Sequence, residues 1–359
     1  MCYFTLNVDI CAEWDFGGLP ARLLAIDGLK IRSNEILYMK EVRRWFNHLL
    51  PKLKNKLIHE NGPIIAVQIE NEFGFWGNAT KNKADSDYLE SLVHIVRGHL
   101  GNKTILYTTD YANEDFMSAG SLMGGDVISL GDFGPFVTNP NHLNMIDQLQ
   151  NVQKRLNVEG LSPPMCTEFY TGWLTHWGEP MARTSSKFLA SSLDYMLYRN
   201  TSVNLYMAVG GTNFEFWAGA NNFRTGNRFD ITSYDYNAPL SESGMHNIGS
   251  DGIDKYTIIR QTFTKHFGPS KVSEPMPLKM LDLDPVICNK LHLQLIPWIK
   301  ENVDAIENIN ALNMEKLGQR FGFTLYSTII TDSFSSLVIG SILDRAQGKN
   351  FKKTFFLIF

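Results

Sequence analysis

Apolar residues along this chain follow two spacings. Short β-branched runs stop abruptly at polar residues, and longer stretches repeat apolar positions at i, i+3, i+4 and i+7. The first spacing marks buried strands, the second amphipathic helices. Six runs predict strands, at 4–12, 64–69, 104–109, 126–130, 164–167 and 203–209. Helical patterns lie between them. One covers 36–50 with Val42, Trp45, Phe46, Leu49 and Leu50; Pro51 should interrupt it, leaving a short helical piece to 57. Asp85 should cap the next, which buries Tyr88, Leu89, Leu92, Val93 and Val96. A third spans 142–156 with Met145, Ile146, Leu149, Val152 and Leu156. Ser185 opens a fourth that runs to Arg199, with Leu189, Leu193, Met196 and Leu197 inward. Asp254 opens a fifth, which closes on Gly268-Pro269.

Strand alternating with helix implies α/β architecture and a parallel sheet. The expected fold is a (β/α)8 barrel two strands short, because only six strand patterns are present. Beyond residue 269 the sequence turns irregular and Pro-rich, and β patterns follow at 321–330 and 336–342 without long helices between them. The expected division is a barrel domain over 1–269, a linker over 270–310, and the start of an all-β domain over 311–359. Such a chain, with its barrel ring unclosed, should be poorly stable and weakly active or inactive by itself.

The chemistry is expected at the ends of the strands. The run 62–74 reads G-P-I-I-A-V-Q-I-E-N-E-F-G: a buried strand that ends in Glu70-Asn71-Glu72. Carboxylates at the tip of a buried strand are costly without partners or a task. In a barrel of this kind that rim carries the site. Glu13 and Glu168 end two further strands, and Glu168 is followed by Phe169-Tyr170-Thr171-Gly172-Trp173 and then His176. Two facing carboxylates among aromatic rings suit glycoside hydrolysis, in which one acid protonates the leaving oxygen and the other attacks carbon or activates water. Glu70 reads instead as a salt-bridge residue inside the barrel. Trp173 reads as a pocket wall or as core, and His176 as a hydrogen-bonding loop residue.

Composition narrows the field. Against 33 Lys and Arg stand 37 Asp and Glu, with no basic run, so nucleic acid is not an expected partner. No apolar stretch reaches membrane-span length, and the N-terminus lacks a signal-peptide pattern. Cys2, Cys11, Cys166 and Cys288 show no metal or redox spacing; Cys11 and Cys166 read as buried thiols. There is no P-loop, no H-E-x-x-H and no G-x-S-x-G. Asn78, Asn102 and Asn200 each begin an N-glycosylation pattern, which points to the secretory route.

These residues resemble the glycoside hydrolase family 35 β-galactosidases, especially the lysosomal animal type. The matching stretches are Ile10 through Pro20, Gly62 through Gly74, Thr167 through Leu174, Gly210 through Phe214 and Thr232 through Glu242. They fall in the family's order and cover about residues 10–269. The resemblance implies Glu72 as acid/base and Glu168 as nucleophile. It places Asn71 on the sugar 2-hydroxyl, Ala12, Glu13 and Tyr236 in the galactose pocket, and Trp173 and Tyr234 as its walls. It implies a terminal β-galactoside of a glycolipid, glycoprotein or oligosaccharide as substrate, a lysosomal or secreted parent protein, and neither cofactor nor metal. The oligomeric state stays open, and a galactoside-binding fragment without activity is the alternative. The chain departs from the family in lacking the strand–helix–strand that precedes the Cys-Ala-Glu strand, which implies a (β/α)8 barrel lacking its first two strands, and in having Phe216 where a Tyr is usual.

Overall fold

The computed structural model of the protein describes residues 2–5, 12–125, 127–134, 142–223, 226–273, 295–329, 347–351 and 354–358. The chain divides into two compact units, Met1–Pro20 with Gly28–Leu278, and Ala21–Asp27 with Lys279–Phe359.

Six strands build the first unit: β1 (Cys2–Thr5), β2 (Ile64–Asn71), β3 (Ile105–Asp110), β4 (Val127–Phe133), β5 (Met165–Tyr170) and β6 (Ser202–Tyr206). They lie side by side in chain order, and every pairing is parallel. Helices α1 (Ile36–Leu53), α2 (Lys83–Leu100), α3 (Glu114–Ala119), α4 (His142–Leu156) and α5 (Ser186–Tyr198) make the successive crossovers, and α6 (Lys255–Phe267) follows the last strand. This is part of a (β/α)8 barrel. Parallel strands bring all six C-terminal ends to one rim. β1 pairs only with β2 and β6 only with β5, so among the described residues the sheet has two open edges.

The helical stripes fold as their spacing demands. Phe46, Leu50, Tyr88, Leu89, Leu92 and Val96 form one core cluster with Val67, Ile69 and Leu106 of the sheet. Ile146, Leu149, Val152, Leu189, Leu193 and Met196 form another around Cys166 and Phe169. Cys166 is a buried free thiol; Cys11 lies outside the described residues.

Local details differ from the expectation in three places. Pro51 does not interrupt α1, which runs through to Leu53. Burial of Leu50 and Leu53 holds this final turn despite the hydrogen bond that Pro51 cannot donate. Trp45, on the flank of the stripe, stays 49% exposed and stacks on His48. Asn82 rather than Asp85 caps α2: its side chain accepts the Ala84 N–H, while Asp85 accepts the Asn78 N–H at 2.7 Å. The caps read at Ser185 and Asp254 are present, accepting from Phe188 and Thr257.

Beyond β6 the chain makes two small antiparallel pairs. β7 (Gly211–Thr212) pairs with β10 (Ser233–Tyr234), and β8 (Ala220–Phe223) with β9 (Gly226–Phe229). The second unit carries α7 (Leu295–Asn302) and a three-stranded antiparallel sheet of β11 (Leu325–Ile329), β12 (Gln347–Phe351) and β13 (Thr354–Ile358), in the order β11-β13-β12. The strand expected at 336–342 lies outside the described residues. Among the described residues no helix is long and apolar enough to cross a membrane.

Candidate active site

The rim of the sheet gathers a set of acids. β2 delivers Glu70, Asn71 and then Glu72; β3 ends in Asp110; β4 carries Asp132, and β5 carries Glu168 and Tyr170. Glu70 is fully buried and is held from three sides. Arg32 pairs with it through Nη2 at 2.8 Å and Nε at 3.1 Å, Tyr88 donates its hydroxyl at 2.9 Å, and the Asn71 N–H donates at 2.6 Å. This is the structural salt bridge expected of it. Arg32 also donates to the Asn71 carbonyl at 2.6 Å, and Gln68 donates to Asn71 Oδ1 at 2.7 Å. The Asn71 side chain is therefore oriented before any substrate arrives, with its Oδ1 already engaged.

Glu72 leaves the strand in a left-handed conformation, φ 48°, with its N–H on the Thr109 carbonyl at 2.6 Å. Glu13 (φ 47°) and Tyr236 (φ 62°) share that unusual backbone. Non-glycine residues held there cost free energy, and such positions concentrate at functional sites.

Glu168 is the electrostatic focus. Burial pushes its carboxyl up to about 8, and the negative charge of Glu72 adds to the shift. Tyr170 bridges the cluster, its hydroxyl 3.0 Å from Asp132 Oδ2 and 3.3 Å from Glu168 Oε2. Asp132 is fully buried; burial, then the charges of Glu72 and Glu168, hold it well above the carboxylate range, and it hydrogen-bonds Glu72. Several acids sharing one desolvated site cannot all ionise near neutrality. The cluster therefore stores a proton.

Glu13 sits in the turn that follows Ala12 and is raised by burial first. Its Oε2 accepts the Tyr234 hydroxyl at 2.5 Å, and its Oε1 accepts Asn221 Nδ2 at 3.2 Å. Behind Asn221 stands His176, buried and bonded to Asn221 Oδ1 and Glu179 Oε2, both at 2.8 Å. His176 is thus a hydrogen-bonding loop residue two links behind Glu13. The aromatic wall closes around Tyr236. Trp173, Tyr206 and Tyr234 lie 6.2, 5.6 and 5.3 Å from its ring, and Tyr170 meets Trp173 edge-on at 5.9 Å. Trp173 remains 42% exposed, which fits a wall better than a core residue.

The structure thus draws Glu13, Glu72, Glu168, Trp173, Tyr234 and Tyr236 into one network. Asn71 adjoins it through the backbone, and Ala12 is partly buried in the turn beside Glu13. Asp132, Tyr170 and Tyr206 belong to the site although sequence reasoning did not single them out. The available signal was position, since each lies at the C-terminal end of a strand. Among the described residues no group of three or more His, Cys, Asp or Glu is placed to hold a metal ion.

A partial barrel with buried, mutually coupled carboxylates and aromatic walls on its C-terminal rim has the make-up of a barrel glycosidase. Residues 6–266 match the glycosyl hydrolases family 35, and the chain belongs to that family. It is 39% identical over 351 residues to "Beta-galactosidase 17" of Arabidopsis thaliana, covering 94% of this chain and 47% of that protein. It is 38% identical over 352 residues to "Beta-galactosidase" of Felis catus, covering 94% and 48%. Against "Beta-galactosidase" of Homo sapiens the identity is 37% over 334 residues, covering 91% and 45%. The chain spans about half the length of the curated relatives it matches.

Proposed function

We propose that the protein is the catalytic part of a retaining exo-β-galactosidase that releases terminal β-galactose from glycoconjugates, within a lysosomal or secreted parent protein. The observation that carries this reading is the pairing of Glu72 and Glu168. They sit at the ends of β2 and β5, the charge of Glu72 helps to raise the Glu168 carboxyl, and Tyr170 joins Glu168 to Asp132 between them.

A double displacement needs a proton on Glu72 and an ionised Glu168, so Glu168, whose carboxyl burial pushes up to about 8, must first give up its own proton. The Glu168 carboxylate attacks the anomeric carbon while Glu72 gives its proton to the departing glycosidic oxygen. Glu72, now ionised, takes a proton from water, and that water displaces Glu168 from the same carbon. Two displacements retain the anomeric configuration, which calls for carboxyl groups about 5–5.5 Å apart. Asn71, its Oδ1 occupied by Gln68, has its amide N–H left for the sugar 2-hydroxyl. Glu13, fixed by Tyr234 and Asn221, accepts from hydroxyls further round the ring. Trp173, Tyr234 and Tyr236 form the aromatic wall against which the terminal sugar would rest.

Chromogenic galactosides test the roles. Glu168→Gln should stop turnover of every substrate. Glu72→Ala should spare the first step when the leaving group needs no proton, and added azide should rescue the second. Equal loss on all galactosides with no azide rescue removes Glu72 from the acid/base role. Galactose binding by calorimetry without turnover would favour the binding-fragment reading, for which the open edges at β1 and β6 speak.

A further inference from the structure

Lys255 is the first residue of α6 and has no exposure to solvent. Both facts weigh against a lysine. The N-terminus of a helix disfavours a cation, and a buried ammonium is expensive without a counter-ion. Among the described residues no carboxylate forms an ion pair with it; Asp251 and Asp235 act on it only at longer range. A residue that breaks two rules at once calls for a compensating role.

Its bonding shows where that role lies. The ammonium donates three hydrogen bonds: to the Thr171 carbonyl at 2.8 Å, the Asn237 carbonyl at 2.7 Å and the Thr184 hydroxyl at 2.6 Å. Thr171 stands three residues after Glu168, and Asn237 directly follows Tyr236. The two turns already touch. The Trp173 N–H donates to the Tyr236 carbonyl at 2.9 Å, and a Cβ built on Gly172 would lie 1.6 Å from that oxygen. Tyr236 and Asn237 both have positive φ, 62° and 46°, so this turn does not hold its shape by backbone preference alone.

We propose that Lys255 is a positioning residue, a three-point ammonium clasp that locks the Tyr236–Asn237 turn onto the Thr171–Trp173 turn and so sets the aromatic wall of the pocket relative to Glu168. Its link to catalysis rests on the galactosidase reading above; the clasp itself does not. A neutral amine keeps only two N–H donors for three acceptors, so the clasp needs the charged form. Burial pushes the Lys255 ammonium down to about 7, so the clasp loosens as pH rises through that value. The groups facing it are Asp251 and Asp235, with Asp254 and its partner His246 at the same end of α6.

The test uses the full chain and the variants Lys255→Met and Lys255→Gln. Amide exchange of Trp173, followed by mass spectrometry or NMR, reads the clasp whether or not the protein binds sugar. Lys255→Met should speed that exchange by about tenfold or more and leave Leu92 in α2 unchanged; Lys255→Gln, which keeps two donors, should fall between. Raising the pH from 6 to 8.5 should speed Trp173 exchange in the wild type beyond the intrinsic pH effect, and Lys255→Met should lack that extra step. In a wild type that binds galactose, kcat/KM should fall by about 100-fold in Lys255→Met, since an ångström of misplacement has that scale. Wild-type exchange at Trp173 in Lys255→Met overturns the clasp. If Lys255→Met does not fold, a wild type without the pH-linked step overturns it instead. Faster Trp173 exchange with unchanged kcat/KM leaves the clasp standing but overturns its positioning role. A wild type that binds no galactoside counts against the proposed function, and the exchange result stands apart from it.

Discussion

Replacing Arg32 by Met offers a quantitative test of how the Glu70–Asn71–Glu72 segment is held. Arg32 is 5% exposed and Glu70 is fully buried, so the substitution strands a carboxylate out of reach of water. Breaking a buried pair by removing one partner costs about 3–5 kcal/mol. Tyr88 and the Asn71 N–H still donate to Glu70, which places the expected loss near the lower end, about 3 kcal/mol. The Arg32 contacts over the Phe73 and Trp76 rings, 5.6 and 5.7 Å from their centroids, disappear as well. For a domain of this size the melting temperature should fall by roughly 6–12 °C. Adding Glu70→Gln removes the stranded charge, and the double variant should recover about half of the loss. Thermal melts followed by circular dichroism give both numbers. If the chain turns over a galactoside as proposed, kcat/KM should fall in Arg32→Met too, because the Asn71 carbonyl loses its 2.6 Å donor beside Glu72. A melt within about 1 °C of wild type, or a double variant no better than the single, would refute the reasoning.

Two further outcomes follow from the same electrostatics and topology. Burial raises Glu168 to about 8 and Asp230 to about 7, and holds Asp110 and Asp132 well above the usual range. These acids bind protons more tightly folded than unfolded, so their contribution is complete below the unfolded values near 4 and is lost as pH rises through about 7 to 8. Lys255, lowered to about 7, works the other way, but it is one group against several. Melts across pH should therefore show higher stability at pH 5 than at pH 8, and a flat or inverted profile would contradict this. The open edges at β1 and β6, with Val203 and Leu205 of β6 only partly buried, favour strand-on-strand association of separate chains. Light scattering of the chain on its own should show oligomers at micromolar concentration; a monomer at that concentration would count against it.

Much of the architecture was legible because it depends on neighbours in the chain. The stripes of α1, α2, α4 and α5 are repeats of one helical period. Glu72 and Glu168 stand out because polar groups there interrupt buried strands or follow them directly; of the strand expected over 4–12 only the start falls within β1, residues 6–11 lie outside the described residues, and Glu13 stands in a turn. Even a local rule has competitors, as Asn82 shows by taking the cap expected of Asp85. Asp85 is drawn off by the Asn78 N–H, seven residues back.

What the sequence determined by itself was the order of elements, the parallel sheet, and the acids at its rim. What only the tertiary structure decided was which distant groups complete the site. Arg32 reaches Glu70 across 38 residues, Tyr170 reaches Asp132 across 38, and Lys255 reaches Thr171 across 84. Periodicity carries no record of such pairs. A hydrogen bond to a buried charge depends on distance and direction in space, and those are fixed only when the strands are aligned and the helices packed against them.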